Sequence, residues 1–146
     1  MIALIQRVRE ARVEVDDVIT GAIGRGVLAL IGIEREDTQS SYERLLQRIL
    51  AYRIFPDDAE RMNLSLKDID GGLLLVPQFT LAADTRKGNR PGFSQAAEPE
   101  YGKAMFDALL VHAKKSYPHV KQGVFGADMQ VSLVNDGPVT FWLQNP

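Results

Sequence analysis

Two short apolar runs, each preceded by glycine, constrain the fold of this chain most strongly. The first is VLALIGI, from Val27 to Ile33, and the second is LLLV, from Leu73 to Val76. Neither run alternates with polar residues, and both are shorter than the roughly 10–12 residues that a buried helix needs. Such runs are typical of strands that are covered on both faces of a sheet. We therefore expect each of these two segments to form a buried strand.

Two amphipathic segments are expected to be helices. Ser40 is followed three residues later by Glu43, which is the pattern of a capping box at a helix start, and Pro56 marks the far end. The second helix is expected to begin near Pro99, because proline is favoured in a first helical turn. Its inner face is predicted to comprise Tyr101, Ala104, Met105, Ala108 and Leu109.

The remaining strand signals lie at the two ends of the chain. Residues 2–19 are rich in valine and isoleucine and predict two strands. Met129–Val134 and Val139–Leu143 predict two more, joined by a hairpin turn at Asn135–Pro138, since Asp-Gly lies between two apolar runs. The helices are too few for a doubly wound sheet. The order of elements predicts an α+β fold with a mainly antiparallel, barrel-like sheet and two principal helices, in one domain of residues 1–146.

Composition and charge exclude several classes of protein. The absence of cysteine excludes a disulfide scaffold, a thiol nucleophile and a cysteine zinc site. Arg7, Arg9 and Glu10 interrupt the first apolar residues too early for a signal peptide, and no run approaches the roughly 18 apolar residues of a membrane span. We expect a cytoplasmic protein without a membrane partner. The net charge of −2 means that any RNA contact must come from a local basic patch.

Residues with obvious catalytic chemistry are scarce. The two histidines, His112 and His119, lack metal-ligand spacing, and no G-x-S-x-G nucleophile elbow occurs. Gly21–Gly26 contains three glycines, but in the order G-x-x-G-x-G and before a strand, which indicates a turn and not a dinucleotide site. We expect surface or half-buried histidines, and neither a metal nor a cofactor.

Two segments remain as candidates for binding or catalytic residues. Pro77–Leu81 (PQFTL) places a glutamine and a threonine where a proline ends a very apolar strand, and strand ends beside loops often carry binding residues. Asn135–Phe141 (NDGPVTF) is the other segment. From these residues alone, a structural interpretation is preferred for both: a strand that ends at proline, and a hairpin turn.

Taken together, the same segments resemble a known family. Gln78–Thr85 (QFTLAADT) and Asn135–Gln144 (NDGPVTFWLQ) resemble the two signatures of the D-aminoacyl-tRNA deacylases. The opening MIALIQRV and Ala127–Val134 (ADMQVSLV) are similar to the bacterial members, so the resemblance covers essentially the whole chain. It implies a homodimeric α+β barrel that binds tRNA and cleaves the ester of D-aminoacyl-tRNA, without a cofactor, at an active site on the subunit interface.

The resemblance also implies roles for individual residues. The reaction centre is assigned to three adjacent positions that supply backbone N–H groups near the ester carbonyl, namely Gln78, Phe79 and Thr80. The dipeptide Gly137-Pro138 is expected to be cis and to reach into the pocket of the other subunit, with Arg7 bracing the glycine carbonyl. Catalysis in this family is assisted by the 2′-hydroxyl of the terminal ribose of the tRNA. We further assign Pro77, Phe125 and Met129 to the substrate pocket.

A main-chain barrier suits this selectivity problem. An enzyme that accepts many D side chains and refuses every L one needs a wall where the Cβ of an L-amino acid would lie. The dipeptide Gly137-Pro138 is expected to be that wall. Because glycine has no Cβ, the wall should not exclude glycyl-tRNA. In the loop Ala83–Ser94, three basic residues are the candidates for contact with tRNA phosphates, namely Arg86, Lys87 and Arg90.

One position departs from the family pattern and leaves the choice of substrate open. The first signature usually begins with serine, where this chain has Pro77, which lacks both a hydroxyl and a backbone donor. A related lineage with relaxed chirality carries proline there, so the main alternative is a deacylase that acts on a mischarged L-amino acid. Phe79, Arg7 and the NDGPVT segment agree with the D-specific branch. Two non-enzymatic interpretations also stay open, a non-catalytic RNA- or nucleotide-binding module and a purely structural small dimer.

Overall fold

The computed structural model describes residues 1–145, which form eight strands, three α-helices and one 3₁₀ turn. The strands are β1 (Ile2–Val15), β2 (Val18–Ile23), β3 (Gly26–Gly32), β4 (Phe55–Pro56), β5 (Met62–Leu64), β6 (Gly72–Pro77), β7 (Val120–Gln122) and β8 (Gln130–Gln144). The helices are α1 (Gln39–Ala51), α2 (Leu66–Ile69) and α3 (Pro99–Ser116), and the 3₁₀ turn is Phe79–Ala82. Among these residues, no helix combines the length and the apolar character that crossing a bilayer requires.

Strand β1 organises the main sheet. It pairs antiparallel with β3 and then β2, and along its whole length with β8. The sheet continues from β3 to β6 and from β6 to β7, and both of these pairings are parallel. Since β2 also lies against β6 and β7, the sheet curls into a nearly closed barrel. The predicted α+β, barrel-like fold is confirmed, with a sheet that is mixed in direction.

The two apolar runs form buried strands, β3 and β6, as predicted, and the two strands are neighbours in the sheet. On β3, Val27, Ala29 and Ile31 belong to the core beneath the helices, whereas Leu28 belongs to a second cluster on the opposite face. Strand β6 divides in the same way, with Leu74 fully buried on the second face. Burying a side chain of this size stabilises the fold by about 1.5–3 kcal/mol. Apolar residues on both faces explain why neither run alternates.

The two principal helices form where expected, with corrections to their details. The first helix is capped by Thr38, whose N–H donates to Ser41 Oγ at 3.0 Å, so the predicted Ser40–Glu43 box is wrong. Thr38 has the extended backbone of a cap, whereas Ser40 already lies inside the helix. The buried face of α3 comprises Gly102, Phe106, Leu109, Leu110 and Ala113.

The predicted inner face of α3 is therefore partly wrong. Tyr101 and Ala104 are exposed, Met105 and Ala108 are half-buried, and only Leu109 is fully buried. Tyr101 lies at the edge of the helix, where its hydroxyl donates to the carbonyl of Asp37. A tyrosine that satisfies its hydroxyl in this way does not need to face the core.

The predicted hairpin at Asn135–Pro138 is wrong. Strand β8 is a single strand that stays paired with β1, from Ile2 opposite Gln144 to Glu14 opposite Gln130. The register shifts opposite the stretch from Gln6 to Glu10, so the NDGP segment is an insertion within the strand. Long-range pairing with a partner strand of 14 residues overrides the local turn signal.

Close contact between β3 and β6 generates the first prediction. Gly26 is paired with Gly72, and a Cβ added to Gly26 would lie 1.9 Å from the Gly72 carbonyl oxygen. Because that neighbour is backbone, we expect Gly26→Ala to lower the free energy of unfolding by about 3 kcal/mol or more, measured by urea denaturation. The matched control is Gly24→Ala, whose added Cβ would meet nothing within 4 Å and should change stability by less than about 0.5 kcal/mol. Equal stability of the two variants would contradict the pairing.

Candidate active site

An apolar cavity of about 460 Å³ opens where β3 and β6 end. The lining residues are Ile31, Ile33, Val76, Pro77, Gln78, Phe79, Ala97, Pro99, Gly102, Phe125, Gly126, Ala127, Met129 and Val131. Of these, only Gln78 carries a polar side chain. A cavity of this size and character is typical of a site that encloses one small ligand and orients it with a few polar groups.

Backbone donors are positioned at the edge of this cavity by the end of β6. The N–H of Gln78 donates to the Ile31 carbonyl at 2.7 Å, and the chain then enters the 3₁₀ turn. The first backbone donor used by that turn is the N–H of Leu81, which bonds the Gln78 carbonyl at 3.2 Å. Within residues 1–145, the N–H groups of Phe79 and Thr80 therefore have no backbone acceptor. Two adjacent unused N–H groups are suited to hold a developing oxyanion.

Side chains of the same turn are polar but not titratable. Gln78 Nε2 donates to Thr80 Oγ1, and both Phe79 and Thr80 are exposed. The histidines lie elsewhere. The ring of His112, on α3, packs against the ring of Tyr42, and His119 Nε2 lies 2.9 Å from the carboxylate of Asp70. Within residues 1–145, no titratable residue lines the cavity, so the lining of this chain offers no side chain that could act as a general base.

The far wall of the cavity contains the predicted pocket residues. Pro77, Phe125 and Met129 all line it, next to Gln78 and Phe79. The sulfur of Met129 accepts the N–H of Val124 at 3.3 Å. Sequence reasoning missed Ala97, two residues before α3, and Pro99 and Gly102 on α3, which are small or apolar and carried no chemical signal.

The dipeptide Gly137-Pro138 lies on β8, away from the cavity of its own chain. Its peptide bond is cis, as the resemblance implied, and both residues are exposed. Arg7 braces this segment: Nε donates to the Asp136 carbonyl at 2.8 Å, and Nη1 donates to the Ile54 carbonyl at 2.7 Å. The braced carbonyl is that of Asp136, one residue before the glycine carbonyl that we expected.

A second brace holds the other side of the dipeptide. Asn135 Oδ1 accepts the N–H of Val139 at 2.7 Å, and Asn135 Nδ2 donates to Thr140 Oγ1 at 2.8 Å. The side chain of Asn135 thus spans the segment and fixes the residue that follows Pro138. Sequence reasoning missed this role, although asparagine commonly bonds nearby backbone groups in turns.

The basic loop, residues 84–94, lies beside the site. Its base is closed by two backbone hydrogen bonds between Asp84 and Gly92, at 2.7 and 3.0 Å. Arg86 binds Asp84 through Nε at 2.9 Å and Nη2 at 2.7 Å, and these hydrogen bonds hold the pKa of Asp84 far below its usual range. Lys87 and Arg90 are exposed and form no ion pair within residues 1–145. They are the cations of this loop that remain open to an anionic ligand.

Comparison with known proteins gives matches over nearly the whole chain. The sequence profile of the D-Tyr-tRNA(Tyr) deacylase family matches residues 4–144. The D-aminoacyl-tRNA deacylase of Alkalilimnicola ehrlichii is 65% identical over 144 residues, which cover 99% of this chain and 96% of that protein. The D-aminoacyl-tRNA deacylase of Thioalkalivibrio sulfidiphilus is 64% identical over 146 residues, which cover 100% of this chain and 98% of that protein.

Solved structures agree in fold. A structure of the c-Myc DNA unwinding element binding protein superposes with a TM-score of 0.96 at 40% identity, covering 100% of this chain and 99% of the other. A probable eukaryotic D-amino acid tRNA deacylase superposes with a TM-score of 0.84 at 19% identity, covering 99% and 98% of the two chains.

The two hydrogen bonds of Arg7 generate a prediction about stability. Arg7→Ala should lower the free energy of unfolding by about 1–3 kcal/mol, because it leaves the carbonyl of the buried residue Ile54 without its donor. Arg7→Lys should recover only part of this loss, since one ammonium does not reproduce a planar fork. The matched control is Arg9→Ala, because the side chain of Arg9 is 76% exposed and its Nε lies 3.9 Å from the Asp136 carboxylate. Urea denaturation of the three variants measures the difference, and an equal loss in Arg9→Ala would contradict the brace.

Proposed function

Since the chain belongs to the D-Tyr-tRNA(Tyr) deacylase family, it is a hydrolase of aminoacyl-tRNA esters, and we propose that its substrates are D-aminoacyl-tRNA and mischarged glycyl-tRNA. Water adds to the ester carbonyl carbon, and the bond from that carbon to the ribose oxygen breaks. The products are the free amino acid and tRNA with an intact terminal ribose. The reaction takes place in the cytoplasm and needs neither metal nor cofactor.

The observation that carries this proposal is the pair of unused N–H groups at Phe79 and Thr80. In ester hydrolysis, negative charge develops on the carbonyl oxygen as the tetrahedral intermediate forms. Rigid backbone donors stabilise that charge without reorganising, and the hydrogen bond from Gln78 to Ile31 fixes where the donors begin. We assign the reaction centre to this turn, with Gln78 orienting the hydroxyl of Thr80.

The attacking water needs activation that the cavity lining does not offer. No titratable side chain lines the cavity within residues 1–145, so we assign the activating group to the substrate itself. The 2′-hydroxyl of the terminal ribose is adjacent to the ester and is carried into the site with it. Its role is to orient the water and relay its proton, while the enzyme positions the ester beside the N–H groups of Phe79 and Thr80.

Discrimination between D- and L-amino acids is assigned to the main chain at Gly137-Pro138. In the proposed homodimer, this exposed dipeptide of one subunit closes the cavity of its partner, at the place where the Cβ of an L-amino acid would lie. The wall must be stiff. If it moves aside for an L-amino acid, each 1.4 kcal/mol lost from the free-energy difference between D- and L-substrates reduces discrimination about tenfold. Two observations support stiffness: Arg7 holds the preceding carbonyl, and Asn135 holds the following N–H.

An exposed apolar surface on β8 supports the homodimer. Trp142 is 51% exposed and Val134 is 44% exposed, on the same strand as the dipeptide. Large exposed apolar side chains near a functional segment are typical of a subunit contact. A second copy placed there would bury these side chains.

Selectivity is the direct test of this proposal. Matched tRNAs carrying a D-amino acid, the corresponding L-amino acid or glycine should be incubated with the enzyme, and release of the amino acid should be followed over time. We expect the D-aminoacyl and glycyl esters to be cleaved and the L-ester to be cleaved at least about a hundredfold more slowly, which corresponds to roughly 2.8 kcal/mol. Comparable cleavage of the L-ester would replace this proposal with the relaxed-chirality deacylase that Pro77 suggests.

The role of the ribose gives a separate prediction. A D-aminoacyl-tRNA that ends in 2′-deoxyadenosine should bind but should be cleaved about 10²–10⁴ times more slowly, since the group that assists proton transfer is missing. Thr80→Ala should keep its rate within about tenfold of the native rate, because the N–H of residue 80 is unchanged. Full turnover of the deoxy substrate would overturn the assisted mechanism, and loss of activity in Thr80→Ala would assign the chemistry to the hydroxyl of Thr80.

A further inference from the structure

Two phenylalanine side chains lie together on the surface, and both are exposed. Phe79 is 60% exposed and Phe93 is 41% exposed, although their ring centroids are only 5.4 Å apart and their planes are inclined by 41°. We call these two residues the aromatic pair. Leaving two large apolar rings in water is unfavourable, so their exposure indicates a surface that is covered when a ligand binds.

The position of the aromatic pair indicates which part of a ligand it meets. Phe79 lines the mouth of the cavity and begins the 3₁₀ turn. Phe93 directly follows the two backbone hydrogen bonds between Asp84 and Gly92 that close the basic loop. The aromatic pair therefore joins the cavity to the basic loop.

The cavity is too small to hold much of a nucleic acid. Its volume of about 460 Å³ suits a single small ligand, such as one nucleoside with its ester. The nucleotides that precede the esterified one must then cross the surface at the mouth. That surface contains aromatic rings and, in the basic loop, Lys87 and Arg90, which form no ion pair with the part of the chain that the structure describes. Exposed aromatic rings beside cations are the usual means of binding single-stranded nucleic acid, because bases stack on the rings and phosphates meet the cations.

We propose that the aromatic pair is a stacking site for the unpaired bases that immediately precede the esterified adenosine of the tRNA, and that Lys87 and Arg90 contact the phosphates of this segment. The inference rests on the proposed function and extends it, since it assigns the Phe79 side chain and Phe93 to RNA binding. Stacking on phenylalanine is independent of base identity. A site of this kind serves an enzyme whose substrates share an unpaired 3′ end and differ elsewhere.

The cations beside the aromatic pair favour a polyanion over a second copy of this chain, which carries a net charge of −2. Arg86 is a weaker candidate for phosphate contact than its neighbours, because its guanidinium is already bound to Asp84 by two hydrogen bonds. Arg86 can therefore serve as the control residue when the phosphate contacts of Lys87 and Arg90 are tested.

The test compares two non-hydrolysable ligands, each with a D-amino acid joined by an amide bond to 3′-aminoadenosine. In one ligand the nucleoside is alone, and in the other it ends an unpaired RNA of three nucleotides. Titration calorimetry should show that the longer ligand binds the native protein about tenfold or more tightly than the shorter one. Phe93→Ala should abolish that advantage and leave the affinity for the single nucleoside unchanged. Phe93→Tyr should retain the advantage, and Phe93→Leu, which is apolar but not aromatic, should lose it.

The phosphate contacts are tested by the salt dependence of binding of the longer ligand. Lys87→Gln and Arg90→Gln should each reduce the slope of log affinity against log salt by about 0.7, the value for one contact with a single strand. Arg86→Gln is the matched control and should reduce the slope less.

Three outcomes distinguish failure of the stacking site from failure of the proposed function. Unchanged affinity of Phe93→Ala for the longer ligand overturns the stacking site, whether or not the native enzyme cleaves D-aminoacyl-tRNA. A change of oligomeric state in Phe93→Ala, measured by sedimentation, also overturns it, because the aromatic pair would then be a subunit contact. In a third outcome, the native protein does not cleave D-aminoacyl-tRNA, but it binds the longer ligand more tightly than the shorter one and Phe93→Ala does not. That result supports the stacking site and not the proposed function.

Discussion

The hydrogen bond from the Gln78 N–H to the Ile31 carbonyl is the interaction on which the candidate site depends. It ends the parallel pairing of β3 with β6, two strands that are apolar on both faces and therefore fixed on both sides by packing. Beyond this point the chain forms a 3₁₀ turn, and within residues 1–145 the N–H groups of Phe79 and Thr80 bond to no backbone carbonyl. A rigid, buried sheet thus sets the position of two backbone donors more firmly than a loop would allow.

The second half of the candidate machinery is held by a different part of the barrel. Gly137-Pro138 belongs to β8, and its braces come from Arg7 on β1 and from Asn135 on β8 itself. Arg7 also binds the carbonyl of Ile54, which ties the Gly137-Pro138 segment to the chain after α1. Donors and wall lie in different regions of one subunit, which is the arrangement expected if each subunit completes the cavity of the other. The exposed apolar residues of β8 fit the same arrangement.

Sequence reasoning succeeded where a local pattern determines the structure and failed where distant pairing does. The two apolar runs identified two buried strands, because a short run without alternation is typical of a strand that is covered on both faces. The NDGP segment gave a strong hairpin signal, but β1 is long enough to stay paired with β8 on both sides of it, so the local signal was overridden. The cap at Thr38 was missed because two overlapping polar patterns compete at that helix start. The pocket residues Phe125 and Met129 came from the family resemblance, and nothing in the local sequence distinguished Asn135 or Phe93 as partners of the site.

The departure at Pro77 can be understood from the same ladder. Position 77 is paired with Ile31 in the parallel register, and the next N–H, that of Gln78, makes the bond that ends the ladder. A proline at 77 removes a backbone donor one residue before this bond, but the bond itself remains. The turn that follows Gln78, with the N–H groups of Phe79 and Thr80, is therefore held at the same position. What Pro77 sets is the surface of the cavity, which it lines with an apolar ring in place of the serine hydroxyl that the resemblance led us to expect. Because the proposed oxyanion donors and the proposed wall are both main chain, this change alters the lining that surrounds the substrate and leaves the groups that act on it in place.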